Sequence, residues 1–158
     1  SVEDALNKQL NAEFYSSYLY LAMSAYFESF PMKGFAKWLR LQAKEEMAHG
    51  MKFYDYIIEA GGTPKLTAID APKTPWKSPQ AVFEQVYAHE QKVTGLIHAL
   101  VELSQKEKDY ATKIFLGWFV KEQVEEEANA SEILAQIKMI GDIPGHLFWL
   151  DHQLGKRE

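Results

Sequence analysis

Residues 61–79 read GGTPKLTAIDAPKTPWKSP, and the reading of this stretch decides how the rest of the chain is arranged. Four of its 19 residues are proline and two are glycine, and its apolar residues follow neither a helical nor an alternating period. Proline removes a backbone donor and glycine loosens the chain, so the stretch is a connection. On both sides the pattern changes. Segments of about 34 to 60 and about 80 to 106 repeat apolar residues with a 3.6-residue period, as do about 3 to 29 and about 110 to 140. Phe30-Pro31 stops the first of these helices, and Gly61-Gly62 caps the second. Ser78-Pro79 opens the third with proline in its first turn, and Gly141 ends the fourth. A short fifth helix, about 145 to 155, follows Pro144. No alternating strand pattern of useful length is present, so the chain reads as all-α.

The connections set the topology. Helices one and two, and helices three and four, are joined by short turns, which makes each pair antiparallel. The 61–79 stretch is too long for such a turn. A helix of about 27 residues is roughly 40 Å long, whereas about 18 extended residues reach roughly 60 Å. The connection can therefore run the length of the bundle and start helix three at the same end as helix two. The expected fold is one domain over residues 1–158: a four-helix bundle with one long crossover and a short fifth helix.

Composition narrows the function. With 47% hydrophobic and 25% charged residues, the chain has the make-up of a soluble globular protein. No apolar run reaches the roughly 18 to 20 residues of a membrane span, and no secretory leader is visible after Ser1. A net charge of −5 argues against a nucleic-acid partner. The absence of cysteine excludes disulfides, thiolate zinc sites and iron–sulfur clusters, and fits an expected cytoplasmic location.

Four acidic residues break the apolar pattern in the same way. Seven residues are nearly two helical turns, so residues seven apart lie within about 20° of each other. Helix one then presents Leu6, Glu13, Tyr20 and Phe27 on one line. Helix two presents Leu39, Glu46 and Phe53 beside Gln42, His49 and Tyr56. Helix three presents Phe83, Glu90 and Ile97, and helix four Phe119, Glu126 and Ile133 beside Leu116, Gln123 and Ala130. Each helix carries one glutamate near its middle on an otherwise largely apolar line, and in an antiparallel bundle the middles meet.

Buried carboxylates are costly, several together repel, and no Lys or Arg shares these lines. A bound cation supplies the missing charge. Hard oxygens with one imidazole, Glu46 and His49 at i and i+3, suit iron or manganese better than a structural zinc site. Four carboxylates balance two divalent ions, so the expected centre is dinuclear. Among the other acids, Glu45 and Glu125 lie about 100° off the inner lines and Glu122 about 40° off. Glu107, Glu127 and Glu132 read as a solvated face. His89, His98, His146 and His152 read as surface or satisfied histidines. Tyr20 is either ordinary core or a donor beside the metals.

The stretches LNKQLNAEFYSSYLYLAMSAYF, GFAKWL, QAKEEMAHGMKFYDYI, VYAHEQKVT, EKDYAT, FLGWFVKEQVEEE and FWLDHQLG, in this order and spacing, resemble the non-haem ferritins of bacteria and archaea over nearly the whole chain. The resemblance implies a hollow 24-subunit shell that stores ferric mineral, with a ferroxidase centre in each subunit. It implies that Glu13, Glu46 and His49 hold a first iron, that Glu46 bridges to a second held with Glu90 and Glu126, and that Gln123 stands beside that second site, where oxygen species bind. Glu45, Glu122, Glu125 and Glu126 match the third iron site of prokaryotic ferritins. Tyr20 and Trp118 match aromatic residues near the centre. Fe(II) with O2 or H2O2 would be the substrates, and helix five would pack near a symmetry axis.

Di-iron enzymes and bacterioferritins generally carry a second Glu-x-x-His on helix four, where this chain has Gln123-x-x-Glu126. A weaker second site suits iron that moves on, which favours storage over oxygenase chemistry. Met47 follows Glu46 where bacterioferritins place their haem ligand, but a Met also occurs there in non-haem ferritins, and haem is not expected. The competing readings are a rubrerythrin-like di-iron peroxidase, which would want an electron-delivery module, and a metal-free structural bundle.

Overall fold

The computed structural model describes residues 1–141 and 143–158. Five helices follow in order: α1 Val2–Ser29, α2 Lys33–Glu59, α3 Pro79–Lys106, α4 Tyr110–Ile140 and α5 Pro144–Leu154. The expected four-helix bundle with a short fifth helix is observed, each helix falling within a residue or two of the span read from periodicity. Helix starts are capped where the sequence offers a short polar side chain. The Ser78 hydroxyl accepts from the Ala81 N–H at 3.1 Å ahead of Pro79, and Asp109 accepts from the Thr112 N–H at 3.1 Å. Past the end of α2, Gly61 takes a φ of +86°, which glycine adopts without steric cost.

Side-chain pairings fix the helix directions. Ser24 and Ser17 donate to the carbonyls of Ala36 and Ala43, so α1 and α2 run antiparallel. The three-residue turn 107–109, with the mid-helix contact of Gln123 to Thr94, sets α4 antiparallel to α3. Tyr20 meets Glu90 while Phe27 meets Phe83, so α3 is antiparallel to α1 and hence parallel to α2. That parallel relation is what the long crossover makes possible. The crossover lies along α1. The Asn7 amide donates to the Thr63 carbonyl at 3.2 Å and accepts from the Lys65 N–H at 2.6 Å. Asn11 donates to Thr67 Oγ1 and to the Ala68 carbonyl. Trp76 closes the run, packing edge-on against Tyr26 and donating to Gln85 at 2.5 Å.

Two apolar blocks fill the bundle. One gathers Leu19, Met23, Phe27, Phe35, Leu39, Phe83 and Val86 with Leu150 and Leu154 of α5. The other gathers Leu6, Leu10, Phe53, Ile57, Val93, Ile97, Leu116 and Phe119. A polar layer separates them at mid-height, at the level of the four glutamates. Helix α5 docks on the start of α2, where Asp151 accepts from the Phe35 N–H at 2.8 Å. Gly34 permits this approach, because a Cβ there would lie 1.7 Å from the Asp151 carbonyl oxygen. Among the described residues, no helix is long and apolar enough to cross a membrane.

Candidate metal centre

Each glutamate of the polar layer is carried inward by the heptad neighbours read from the sequence. Leu6, Tyr20 and Phe27 around Glu13 are buried, as are Leu39 and Phe53 around Glu46, Phe83 and Ile97 around Glu90, and Phe119 and Ile133 around Glu126. Glu13, Glu46 and Glu90 are each 1% exposed, and Glu126 and His49 each 6%. The flanking residues are themselves buried, which holds the carboxylates away from bulk water.

The side chains meet in two groups of three. One ligand atom each from Glu13, Glu46 and His49 lie within 4.8 Å of one another, and the same holds for Glu46, Glu90 and Glu126. Glu46 belongs to both groups. His49 turns its Nδ1 toward this shared residue, 3.2 Å from Glu46 Oε2 and 4.0 Å from Glu13 Oε2. The opposite side of the imidazole packs against Trp118 and Phe119, with ring centroids at 5.3 and 6.0 Å.

A ring of neutral donors holds the carboxylates in place. Gln9 donates to Glu13 Oε1 at 2.9 Å, and Gln42 donates to Glu126 Oε2 and, at 3.4 Å, to Glu46 Oε1. The Tyr20 hydroxyl donates to Glu90 Oε1. Gln123 Nε2 lies 3.1 Å from Glu90 Oε2 and 3.2 Å from the Glu90 carbonyl. Each of these donors is itself buried. One acceptor is left over: Glu13 Oε2 is buried with no hydrogen-bond partner, on the side facing Glu46 and His49. An orphaned buried oxygen costs about 1–3 kcal/mol, and a cation between the three side chains would satisfy it.

The electrostatics agree. Burial, then the Glu46 charge, raises the Glu13 carboxyl well above the usual carboxylate range. Burial, then Glu90, does the same to Glu46. Glu90 is raised by burial, although the Tyr20 and Gln123 hydrogen bonds pull it back down. Glu126 is pushed up to about 8, by burial first and by Glu90 second. At neutral pH a proton on Glu126 takes the place of positive charge. No Lys or Arg side chain among the described residues lies within salt-bridge distance of these four glutamates.

Glu45, Glu122 and Glu125 lie outside both triads. Glu45 and Glu125 are exposed and Glu122 half-buried, as their angular offset required. They are neighbours nonetheless: burial raises the Glu122 carboxyl, and the nearby Glu125 and Glu45 charges raise it further. Met47 is 46% exposed on the outer face of α2. His89 is a satisfied histidine. Its Nε2 sits 2.7 Å from Ser16 Oγ, its ring packs edge-on to Tyr20, and burial, then Lys92, lowers it to about 4. Glu127 departs from its expected solvated role, because its carboxylate accepts a hydrogen bond from Thr94 across the α3–α4 seam. The sequence reading assigned no role to Gln9 or Gln42. The signal was available: each precedes its glutamate by four residues, the spacing that places two helical side chains on one face.

Two metal-sized groups of ligands sharing one carboxylate, at the centre of four helices, define the class of bundles built to hold two metal ions in their core. Comparison with known proteins narrows the class. The protein family that matches is the ferritin-like domain, over residues 3–140. The chain is 48% identical over 156 residues to a bacterial non-heme ferritin of Bacteroides fragilis, a match covering 99% of this chain and 97% of that one. It is 45% identical over 154 residues to a bacterial non-heme ferritin of Staphylococcus saprophyticus, covering 98% and 92%. Its structure matches an open pore ferritin from the hyperthermophilic archaeon Archaeoglobus fulgidus with a TM-score of 0.98 and 50% identity, over 99% of this chain and 96% of that one. The chain belongs to the ferritin family, and the relatives it resembles are bacterial and archaeal ferritins.

Proposed function

We propose that this chain is an iron-storage subunit that oxidises ferrous ions in pairs at the Glu46-centred site and deposits the ferric product as mineral inside a shell of 24 copies. The observation that carries the reading is the membership of Glu46 in both triads. One carboxylate with two oxygens can hold two ions side by side, which neither a single-metal site nor a structural salt bridge requires. Glu13 and His49 complete the place for one ion, Glu90 and Glu126 the place for the other. The orphaned Glu13 oxygen and the raised carboxyls support occupancy by cations.

Ferrous iron is the substrate here. Each Fe(II) gives up one electron, and two ions together reduce O2 and two protons to H2O2, or H2O2 and two protons to two waters. The chain supplies position and charge. Gln9, Gln42 and Tyr20 hold the carboxylate oxygens in register before metal arrives, and Gln123 steadies Glu90 beside the second ion. The apolar blocks above and below the layer keep bulk water out, which strengthens each metal–carboxylate contact. Helix α4 offers Gln123 and Glu126 where a second Glu-x-x-His would supply another carboxylate and an imidazole, so the second ion is held loosely enough to leave as product. Glu45, Glu122 and Glu125, with Glu126, form a third iron position on the way out. Each subunit acts as a single domain in the cytoplasm.

Size-exclusion chromatography after aerobic ferrous loading tests the proposal. A shell of 24 chains of 18.1 kDa would elute near about 430 kDa and retain iron. Glu46→Ala should abolish fast ferrous oxidation while leaving the shell assembled. A dimer that turned over peroxide without retaining iron, or unchanged initial rates in Glu46→Ala, would overturn the assignment.

A further inference from the structure

The inner glutamates have no Lys or Arg partner among the described residues, but Glu45 does. Among the described residues, the only Lys or Arg within salt-bridge distance of a carboxylate is Arg157, with its Nη2 2.9 Å from Glu45 Oε1. The chain has 17 Lys and Arg and 22 Asp and Glu, so this single pairing stands out against many unpaired surface charges. It is also a built contact. The guanidinium lies 4.6 Å over the Trp38 ring and donates from Nη1 to the Trp38 carbonyl at 3.1 Å. Trp38 and Glu45 are seven residues apart on one line of α2, so a guanidinium stacked on the first reaches the second.

The preceding residues deliver Arg157 to this position. Asp151 caps the start of α2, Gly34 leaves room for it, and Lys37 donates to the Gly155 carbonyl at 3.1 Å. The Arg157 side chain is only 21% exposed, while that of Glu45 is 49% exposed. A cleft of about 480 Å³ bordered by Trp38, Glu45, Glu132, Gln136 and Arg157 leaves the guanidinium room to swing off Glu45.

We infer that Arg157 is a tethered counter-cation which competes with metal ions for Glu45, so that loading of the third iron position and docking of residues 155–158 on α2 exclude one another. The inference rests on the proposed role of Glu45 as a third-site ligand. The guanidinium draws Glu45 Oε1 to 2.9 Å and offsets its charge, so an ion that swings the carboxylate toward Glu122 and Glu125 has to break that bond. The inner centre carries no such competitor, so it fills first. The outer position fills only when ions are abundant enough to displace Arg157, and the displaced segment then leaves the surface of Trp38.

The test uses the assembled protein under anaerobic conditions with Fe(II) alone. Equilibrium dialysis should give two tighter ions and one weaker ion per chain. Arg157→Gln should tighten the weaker ion by roughly two- to fivefold, the range for a half-exposed ion pair, and leave the first two unchanged. Arg157→Lys, which keeps the charge but not the planar stack, should restore part of the competition. In the unsubstituted protein, amide exchange of residues 155–158 should speed up as the third ion binds but not while the first two bind. Normal ferrous oxidation with unchanged third-ion affinity in Arg157→Gln, or exchange in residues 155–158 that ignores the third ion, overturns the competition alone. If rapid ferrous oxidation is missing from every protein, the proposed centre has failed, and the inference falls with it.

Discussion

Replacing Glu126 by Gln should stabilise the metal-free protein, and should do so more at neutral than at acid pH. Glu126 is 6% exposed, and burial, followed by the Glu90 charge, raises its carboxyl from 4.5 to about 8. A group raised in this way makes its full contribution below the unfolded value and loses it as pH climbs toward the folded one. Each pH unit across that window costs about 1.4 kcal/mol. At about pH 7 the metal-free protein therefore forfeits about 3 kcal/mol at this one position, and at about pH 5 less than about 1 kcal/mol. Glutamine has nearly the same shape and cannot ionise, and its carbonyl can accept the hydrogen bond that Gln42 now donates to Glu126. Calorimetry of chelator-treated protein should show Glu126→Gln melting roughly 6–12 °C higher at about pH 7. The difference should shrink toward zero near pH 4.5. With saturating ferrous iron under argon the order should reverse, because the substituted protein has lost a ligand and gains less from binding. A metal-free Glu126→Gln protein no more stable than the original at neutral pH, or one stabilised equally at both pH values, would refute the buried-charge argument.

The same carboxyls lead to further expectations. Anaerobic ferrous loading of weakly buffered protein at about pH 6.5 should release protons, because raised carboxyls must ionise to bind, and apparent affinity should climb up to about pH 8. An indicator dye follows the release, and a pH-independent titration without release would contradict the raised carboxyl of Glu126. Tyr20→Phe removes the hydroxyl that donates to Glu90 Oε1 without opening the core. Loss of such a support for a ligand costs roughly 10- to 100-fold in affinity or rate, so stopped-flow oxidation should slow by about that factor in an intact shell; an unchanged rate would make Tyr20 ordinary core.

Much of the centre was legible because helices convert spacing into direction. Glu13 is inward because Leu6, Tyr20 and Phe27 must be, and the same reasoning placed Glu46, Glu90 and Glu126 on the buried face of their helices. It placed Glu45 and Glu125 outside for the same reason. The residues it missed are those whose importance depends on a partner from another helix. Gln42 matters because Glu126, 84 positions away, takes its amide. Glu127 looked like one more charge in an acidic run, yet it closes a bond to Thr94 on α3. Local spacing pairs Gln42 with Glu46, but it carries no sign of Glu126 or of the Thr94–Glu127 contact.

By itself the sequence determined the number of helices, the crossover, and one carboxylate per helix at matching depth, since period and chain length are enough to set those. Only the tertiary structure decided which oxygen is orphaned, that Gln42 reaches Glu126, and that Arg157 reaches Glu45. These depend on ångström-scale contacts between distant segments, such as the approach of Asp151 that the missing side chain of Gly34 allows. Periodicity carries angle and depth along one helix but no distance between two.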